Sequence, residues 1–338
     1  MIESIEFRNF KALRQATLPL SRFTLIVGAN GSGKSTALNA IFALGRPEKM
    51  PFWQVHSAGV ADTAPVTVIA KGSEQGDGFT IKVKRKGRNW VGPDGRTAGH
   101  RRLTDRDRPM MALRSARLFS LEADAIADPA QLARWPQVPS MELAQNGANL
   151  AGVLDRLRDQ NPERFEAVNE QLGRWIPEFD RILFKNPAKG LLEIALRTRE
   201  GRHRIPAADL SSGTLIALAL LTIAYLPEPP AIVCLEEPDH GLHPRLLRDV
   251  QDALYRLAFP EGSKETRDPV QVIATTHNPY FLDLFREHPE EIVIAEKVGL
   301  EARFSRLSDR ADLDEILGDA PLSEVWYSGV LGGVPVRP

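Results

Sequence analysis

Gly28-Ala-Asn-Gly-Ser-Gly-Lys-Ser-Thr36 decides the fold, because it fits the phosphate-loop pattern G-x-x-x-x-G-K-[ST]. A β-prone run, Thr24–Val27, precedes the loop, and a helix-prone run, Ala37–Leu44, follows it. In such a loop, backbone N–H groups close around phosphate oxygens and the lysine reaches the β and γ phosphates. The stretch predicts that a nucleotide contacts Asn30, Gly31, Ser32, Gly33, Lys34, Ser35 and Thr36, and that the Ser35 hydroxyl also binds Mg²⁺.

Two carboxylates follow a strand-like run far downstream of the loop. Ala231–Leu235 is uninterruptedly apolar, as expected of a strand buried on both faces of a parallel sheet, and it leads into Glu236 and Glu237. In a phosphate-loop enzyme, one carboxylate at such a strand end orders the water around Mg²⁺, and the next polarises the attacking water. We expect the first role for Glu236 and the second for Glu237. The alternative is an acidic pair in a surface turn.

Two more polar sites lie at the ends of regular elements. Val270–Ala274 is another buried-type strand, and His277 just beyond it is placed to contact the γ-phosphate or hold the attacking water, unless it is an ordinary loop histidine. Asp209-Leu-Ser-Ser-Gly-Thr214 precedes a helical run. Small residues at a helix start expose N–H groups to an anion, but they also serve as plain helix N-caps, and the sequence leaves both interpretations open.

The remaining chain divides by pattern. Alternating apolar residues predict strands over residues 2–27, a β-rich lobe over 45–110 and a helical lobe from Asn149 to Phe179. Residues 82–108 hold seven arginines and three lysines against three aspartates. This basic region is a candidate nucleic-acid contact, although a solvated hairpin face is the commoner meaning of such a run.

Composition limits the class of protein. The 338 residues are 43% hydrophobic and carry a formal net charge of -1, so the chain can bury a core and its overall charge does not indicate a nucleic-acid partner. The single cysteine excludes an internal disulfide, which fits the reducing cytoplasm. The N-terminus shows no leader pattern, and the longest apolar run, Leu215–Leu226, is too short to span a bilayer.

The order of these motifs resembles that of the ABC-type ATPases. Leu210-Ser-Ser-Gly-Thr214 is similar to their L-S-G-G-Q signature, Val233–Glu237 to the Walker B strand, Asp239–Pro244 to the D-loop region and His277 to the switch histidine. Within that clade, Glu237–Pro244 and Thr276–Pro279 resemble the AAA_21 and AAA_15 ATPases related to SMC, RecF and OLD proteins.

The resemblance implies an α/β P-loop NTPase fold. We expect a mostly parallel central sheet with helices on both faces, an antiparallel β-rich lobe and a helical lobe, all within one ATPase head. Its expected sub-regions are residues 1–125, 126–190, 191–300 and a C-terminal tail, 301–338.

The same resemblance implies a head-to-head homodimer closed on two ATP molecules. Each phosphate loop would meet Ser211, Ser212 and Gly213 of the other chain, and Arg8 and Asn9 would lie close to the adenine. Glu236 stands where the family usually has aspartate, and Ser212 and Thr214 replace the signature glycine and glutamine.

Partners and rival functions follow from the resemblance. No long coiled coil separates Ser35 from Leu210, which argues against an SMC protein, and 61 residues after His277 are too few for the nuclease domain of OLD-type proteins. We therefore expect a separate effector protein, such as a nuclease, in bacterial defence or repair. A transporter ATPase subunit and an ATP-locked dimeric scaffold without turnover are the alternatives.

Overall fold

The chain contains both strands and helices, as the sequence patterns predict. The computed structural model describes residues 1–46, 57–60, 64–74, 77–86, 89–91, 108–131, 141–263, 265–318 and 320–334. The strands are β1 (Ile2–Phe10), β2 (Leu13–Pro19), β3 (Phe23–Val27), β4 (Thr67–Glu74), β5 (Asp77–Lys86), β6 (Asn89–Val91), β7 (Arg117–Phe119), β8 (Ala130–Gln131), β9 (Phe179–Lys185), β10 (Leu191–Thr198), β11 (Arg204–Pro206), β12 (Ile232–Leu235), β13 (Gln271–Thr276), β14 (Ile292–Val298) and β15 (Glu301–Arg306).

The helices fall between and after these strands. They are α1 (Lys34–Gly45), α2 (Arg108–Ser115), α3 (Ala123–Ala127), α4 (Leu150–Gln160), α5 (Pro162–Trp175), α6 (Ser212–Ala224), α7 (Leu247–Ala258), α8 (Pro279–Asp283), α9 (Leu313–Leu317) and α10 (Leu322–Tyr327). The chain forms two units, the first of Met1–Leu118, Pro230–Glu236 and Arg267–Pro338, and the second of Phe119–Pro229 and Glu237–Thr266. The four sub-regions expected from sequence stay a prediction.

A six-stranded sheet carries the phosphate loop. Its order is β15-β14-β3-β13-β12-β7; β14, β3, β13 and β12 run parallel, and β15 is antiparallel to β14. Every residue of β3, β12 and β13 is buried, as expected for parallel strands covered on both faces. The α/β fold with a mostly parallel central sheet is confirmed.

A second sheet of the first unit is antiparallel and five-stranded, in the order β2-β1-β4-β5-β6. Ile5 and Phe7 of β1 are buried and alternate with less buried neighbours, which is the period of a strand with one face on the core. This sheet is the β-rich lobe that the alternating apolar residues predict.

The second unit contains the predicted helical lobe. Helices α4 and α5 each bury one apolar face, with Leu154 and Leu157 on α4 and Val168 and Leu172 on α5. Helix α6 is different, because all its residues from Thr214 to Ala224 are buried, which is the pattern of a helix inside a core. Strand β10 pairs with β9, β11 and β8 in the same unit.

Cys234 provides a test of the buried central sheet. It lies in β12, is fully buried, and burial raises the pKa of its thiol to about 12. At pH 8 only about one part in 10⁴ is then the reactive thiolate. We expect no reaction of the native protein with DTNB, and one equivalent of released thionitrobenzoate after denaturation, because the chain has one cysteine. Fast labelling of the native protein would contradict this packing.

Candidate functional site

The predicted site residues of the first unit follow three neighbouring parallel strands. The phosphate loop follows β3, His277 follows β13 and Glu236 follows β12, in the sheet order β3-β13-β12. Val27 is level with Thr276, and Ala274 is level with Leu235, so the three strands end near one edge of the sheet. The carboxyl edge of an open α/β sheet is where ligands of this fold class bind.

Close backbone packing explains two glycines of the loop. A Cβ at Gly28 would come 2.2 Å from the Ala295 carbonyl oxygen in β14. At Gly33, where φ is 101°, a Cβ would come 2.8 Å from the Ala302 Cβ in β15. No L side chain fits at either position, so glycine is required both at the start of the loop and directly before α1.

Lys34 and Ser32 present polar atoms inside the loop. The Lys34 side chain is buried, and its Nζ donates to the carbonyl oxygens of Gly28 at 2.7 Å and Ala29 at 3.1 Å. Among the described residues, the buried Ser32 Oγ has no hydrogen-bond partner. A buried ammonium, an unsatisfied hydroxyl and the N-terminus of a twelve-residue helix fit the phosphates of a nucleotide.

The other loop residues are more accessible. Asn30, Gly31 and Ser35 are exposed, and Thr36 is partly buried. The Ser35 hydroxyl stands at the first turn of α1, while its carbonyl oxygen accepts from Asn39 Nδ2 at 2.7 Å. Its hydroxyl and the half-buried Glu236 carboxylate are oxygen ligands of the kind that Mg²⁺ prefers, so the donor set fits that ion.

Glu237 has an unusual backbone conformation. Its φ of 44° lies in the left-handed region, which non-glycine residues rarely adopt. Within the second unit, its carbonyl oxygen accepts from His240 N at 3.0 Å, so a turn directly follows the carboxylates. Strained backbone of this kind gathers at functional sites.

The turn around His277 has its own local bonds. Thr276 Oγ1 accepts from Asn278 N at 2.9 Å, and Asn278 Oδ1 accepts from Tyr280 N at 3.0 Å, which caps α8. These bonds account for the Thr-His-Asn-Pro sequence around the histidine. They leave the His277 side chain exposed.

The signature-like stretch forms the N-terminus of α6 in the second unit. Ser211 is the N-cap, because its Oγ accepts from Thr214 N at 3.1 Å and lies 2.8 Å from Thr214 Oγ1. Ser211 and Ser212 are exposed. A Cβ at Gly213 would come 2.8 Å from the Gly241 carbonyl oxygen, so the signature glycine packs on the D-loop region of its own chain. Ser211 thus caps the helix, and phosphate binding by this stretch stays a prediction.

Arg8 and Asn9 lie at the end of β1. Arg8 is exposed, whereas Asn9 has a φ of 57° and its Nδ2 donates to the Pro65 carbonyl oxygen at 3.0 Å. Asparagine tolerates this backbone conformation better than most residues. The Asn9 side chain therefore ties β1 to the residues before β4, and the expected adenine contact stays a prediction.

A contact from the C-terminal region was missed by the sequence analysis. The Gly333 carbonyl oxygen accepts from Ala29 N in the phosphate loop at 2.6 Å. A Cβ at Gly333, where φ is 70°, would come 3.0 Å from Ile294 Cγ2. The Gly332-Gly333 pair was the available signal, because paired glycines often mark backbone that no side chain allows.

This contact yields a prediction for Gly333→Ala. The added methyl group crowds Ile294 Cγ2 at 3.0 Å and strains a backbone with a φ of 70°, and relief of either by a backbone shift displaces the carbonyl that accepts from Ala29 N. We therefore expect ATP affinity to fall about fivefold, the equivalent of one hydrogen bond. Gly299→Ala is the matched control, because Gly299 has a similar φ of 62° with nothing within 4 Å of its Cβ position. Both variants carry backbone strain, but only Gly333→Ala should weaken nucleotide binding in a calorimetric titration. Equal ATP affinities of the two variants would show that the hydrogen bond between Ala29 and Gly333 does not contribute to nucleotide binding.

The structure does not test the predicted nucleic-acid contact of the basic region. Most of that region, residues 82–108, lies outside the described residues, so the contact stays a prediction.

Among the residues that are described, no helix is long and apolar enough to cross a membrane.

Comparison with known proteins defines the class. Residues 100–283, more than half of the chain, match the AAA_21 family, described as "AAA domain, putative AbiEii toxin, Type IV TA system". Residues 1–80 match the AAA_15 family, described as an AAA ATPase domain. The chain belongs to the AAA_21 family of AAA-domain proteins, and the resemblance drawn from its motifs is confirmed.

Individual relatives are distant. An OLD nuclease of Thermus scotoductus is 23% identical over 365 aligned residues, which cover 94% of this chain and 66% of the relative. The chain thus spans slightly less than two thirds of that protein. The SMC head domain from Thermotoga maritima is 20% identical with a TM-score of 0.47, covering 90% of this chain and 98% of that one. The recombination mediator protein RecF is 12% identical with a TM-score of 0.49, at the same coverages.

Proposed function

We propose that this protein binds and hydrolyses ATP with Mg²⁺, dimerises around the nucleotide and so controls a partner effector. The observation that carries the proposal is the placement of the phosphate loop, His277 and Glu236 after three adjacent parallel strands. Membership of an AAA-domain family supports the choice of ATP.

ATP binding would rest on the loop and the start of α1. The buried Lys34 ammonium would leave the carbonyls of Gly28 and Ala29 for the phosphates, and the Ser32 hydroxyl would gain the partner it lacks among the described residues. Backbone N–H groups of Asn30–Thr36 would complete the cradle. Ser35 and Glu236 would hold Mg²⁺, which neutralises charge on the β and γ phosphates when bound.

Hydrolysis would use the residues around the strand ends. Glu237 takes a proton from water as the water oxygen bonds to the γ-phosphorus, and the bond from that phosphorus to the β–γ bridging oxygen breaks, leaving ADP and phosphate. His277 is exposed at its strand end and would contact the γ-phosphate, so its hydrogen bond would be lost once that group leaves.

Lys34→Ala tests nucleotide binding. Loss of the buried cation among the phosphates should remove measurable ATP binding, while the fold keeps its core. Lys297→Ala in β14 is the control, because it removes an exposed lysine from the same unit. Binding is measured with a fluorescent ATP analogue and folding by circular dichroism. Wild-type affinity in Lys34→Ala would overturn the loop assignment.

Glu237→Gln tests hydrolysis separately. The variant should keep ATP affinity and lose turnover by about 10²-fold or more, because glutamine cannot accept the proton from water. Glu236→Gln should instead raise the Mg²⁺ concentration needed for half-maximal turnover. Phosphate release across a Mg²⁺ titration distinguishes the two variants. The two roles would be exchanged if Glu237→Gln stayed active and Glu236→Gln lost turnover with an unchanged dependence on Mg²⁺.

The dimer is proposed from the family resemblance and from exposure. Ser211 and Ser212 are exposed at the start of α6, where a phosphate loop of a second copy could reach them. Arg8 and Asn9 would then flank the adenine. The Glu237→Gln variant should accumulate as a dimer with ATP, and sedimentation with ATP and with ADP measures this.

The biological role is proposed from the relatives. The similarity to an OLD nuclease supports a DNA-related process, and the AAA_21 description, which names a putative toxin of a toxin–antitoxin system, supports bacterial defence. The effector would be a separate protein such as a nuclease, with residues 82–108 as a nucleic-acid contact. The protein purified with its co-precipitating partner should cleave DNA with ATP but not with ADP, and should still do so in the Glu237→Gln background, where the ATP-bound dimer accumulates.

A further inference from the structure

A cavity of about 410 Å³ opens among helices α5, α6 and α7 of the second unit. Its volume lies within the range of roughly 300–1,000 Å³ typical of ligand pockets. Its lining residues belong to none of the motifs assigned to ATP. The cavity therefore needs an explanation of its own.

Four aromatic side chains line the cavity. Trp175 of α5 and Tyr225 after α6 are each 7% exposed, and Tyr255 and Phe259 line the side of α7 with ring centroids 5.4 Å apart. Aromatic rings that border a cavity offer apolar area and a negative π-face. Such a wall suits a flat or cationic group.

Two carboxylates of α7 share the same cavity. Asp249 and Asp252 line it, and neither forms an ion pair or a side-chain hydrogen bond within the described part of the chain. Burial raises the pKa of Asp249, the Asp252 charge adds to this, and the nearby Arg245 charge opposes it. The two negative charges are therefore only partly compensated within the unit.

The cation already in the wall has other partners. The Arg256 guanidinium lies over the Tyr225 ring, 4.4 Å from its centroid, and pairs with Glu265. Arg164 Nη1 also lies 3.7 Å from that glutamate. Arg256 thus already combines a cation–π contact with an ion pair at this wall. Its ion pair is with Glu265, so Asp249 and Asp252 can pair with a second cation.

We propose that this cavity binds an arginine side chain from a partner polypeptide. A guanidinium can stack on Trp175 and direct its N–H groups at the two aspartates, combining cation–π contact with charge-assisted hydrogen bonds. A lysine ammonium offers no flat face for stacking. Cationic or aromatic anchors in a desolvated pocket are the residues that dominate protein interfaces. The inference concerns the second unit alone and does not depend on ATP turnover.

The test is a calorimetric titration of the full chain with the peptide acetyl-Gly-Arg-Arg-Gly-amide, without nucleotide. The same peptide with citrulline in place of arginine is the uncharged counterpart of equal shape. Asp249→Asn/Asp252→Asn removes the carboxylates from the cavity. Asp155→Asn/Asp159→Asn removes two carboxylates from α4 of the same unit and is the control for net charge.

We expect the arginine peptide to bind the wild type and the α4 control alike, and the cavity variant at least about tenfold more weakly. Equal binding by the cavity variant, equal binding of the citrulline peptide, or no binding to the wild type at millimolar peptide would each overturn the proposal. Circular dichroism melts check folding, and Asp252→Asn alone, at an exposed position, provides a second variant if the double variant unfolds.

Discussion

Backbone crowding around the phosphate loop is the constraint on which the first unit depends. Gly28 lies against the Ala295 carbonyl and Gly33 against Ala302, so β14 and β15 must be in place for the loop to take its shape. The amide of Ala29 is held by a carbonyl from Gly333. The loop is thus formed by tertiary packing as much as by its own glycines, and the buried Lys34 ammonium depends on that packing for its position.

Glu237 keeps a strained backbone conformation just after the end of β12. A φ of 44° costs a non-glycine residue on the order of 1–3 kcal/mol, and glycine would adopt it with little strain. The carbonyl oxygen of Glu237 accepts from His240 N, which closes the turn after the strand. The strained glutamate is understandable if its side chain is needed, which agrees with the role proposed for it.

Local signals predicted the strands and the loop well, and long-range contacts limited the rest. β3, β12 and β13 are rich in apolar and β-branched residues and are buried throughout, a pattern that can be recognised because a parallel sheet is covered on both faces. Within residues 301–338, β15 pairs with β14 and the Gly333 carbonyl oxygen accepts from the phosphate loop, and the sequence patterns indicated neither contact. Nothing local in Glu301–Arg306 indicates its partner, because pairing is decided by contacts distant in sequence. The aromatic cavity was missed for the same reason, since α5, α6 and α7 supply its wall jointly.

The bond between Ala29 and Gly333 has a consequence for the order of folding during synthesis. A ribosome adding about 5–20 residues per second needs on the order of 15–60 s to travel from the first of these residues to the second. The two neighbours of β3 in the sheet, β13 and β14, are also synthesised long after β3 itself. The nascent phosphate loop therefore spends most of translation without the contacts that shape it, and a chain stopped before residue 333 lacks a finished nucleotide loop despite carrying every residue of the motif.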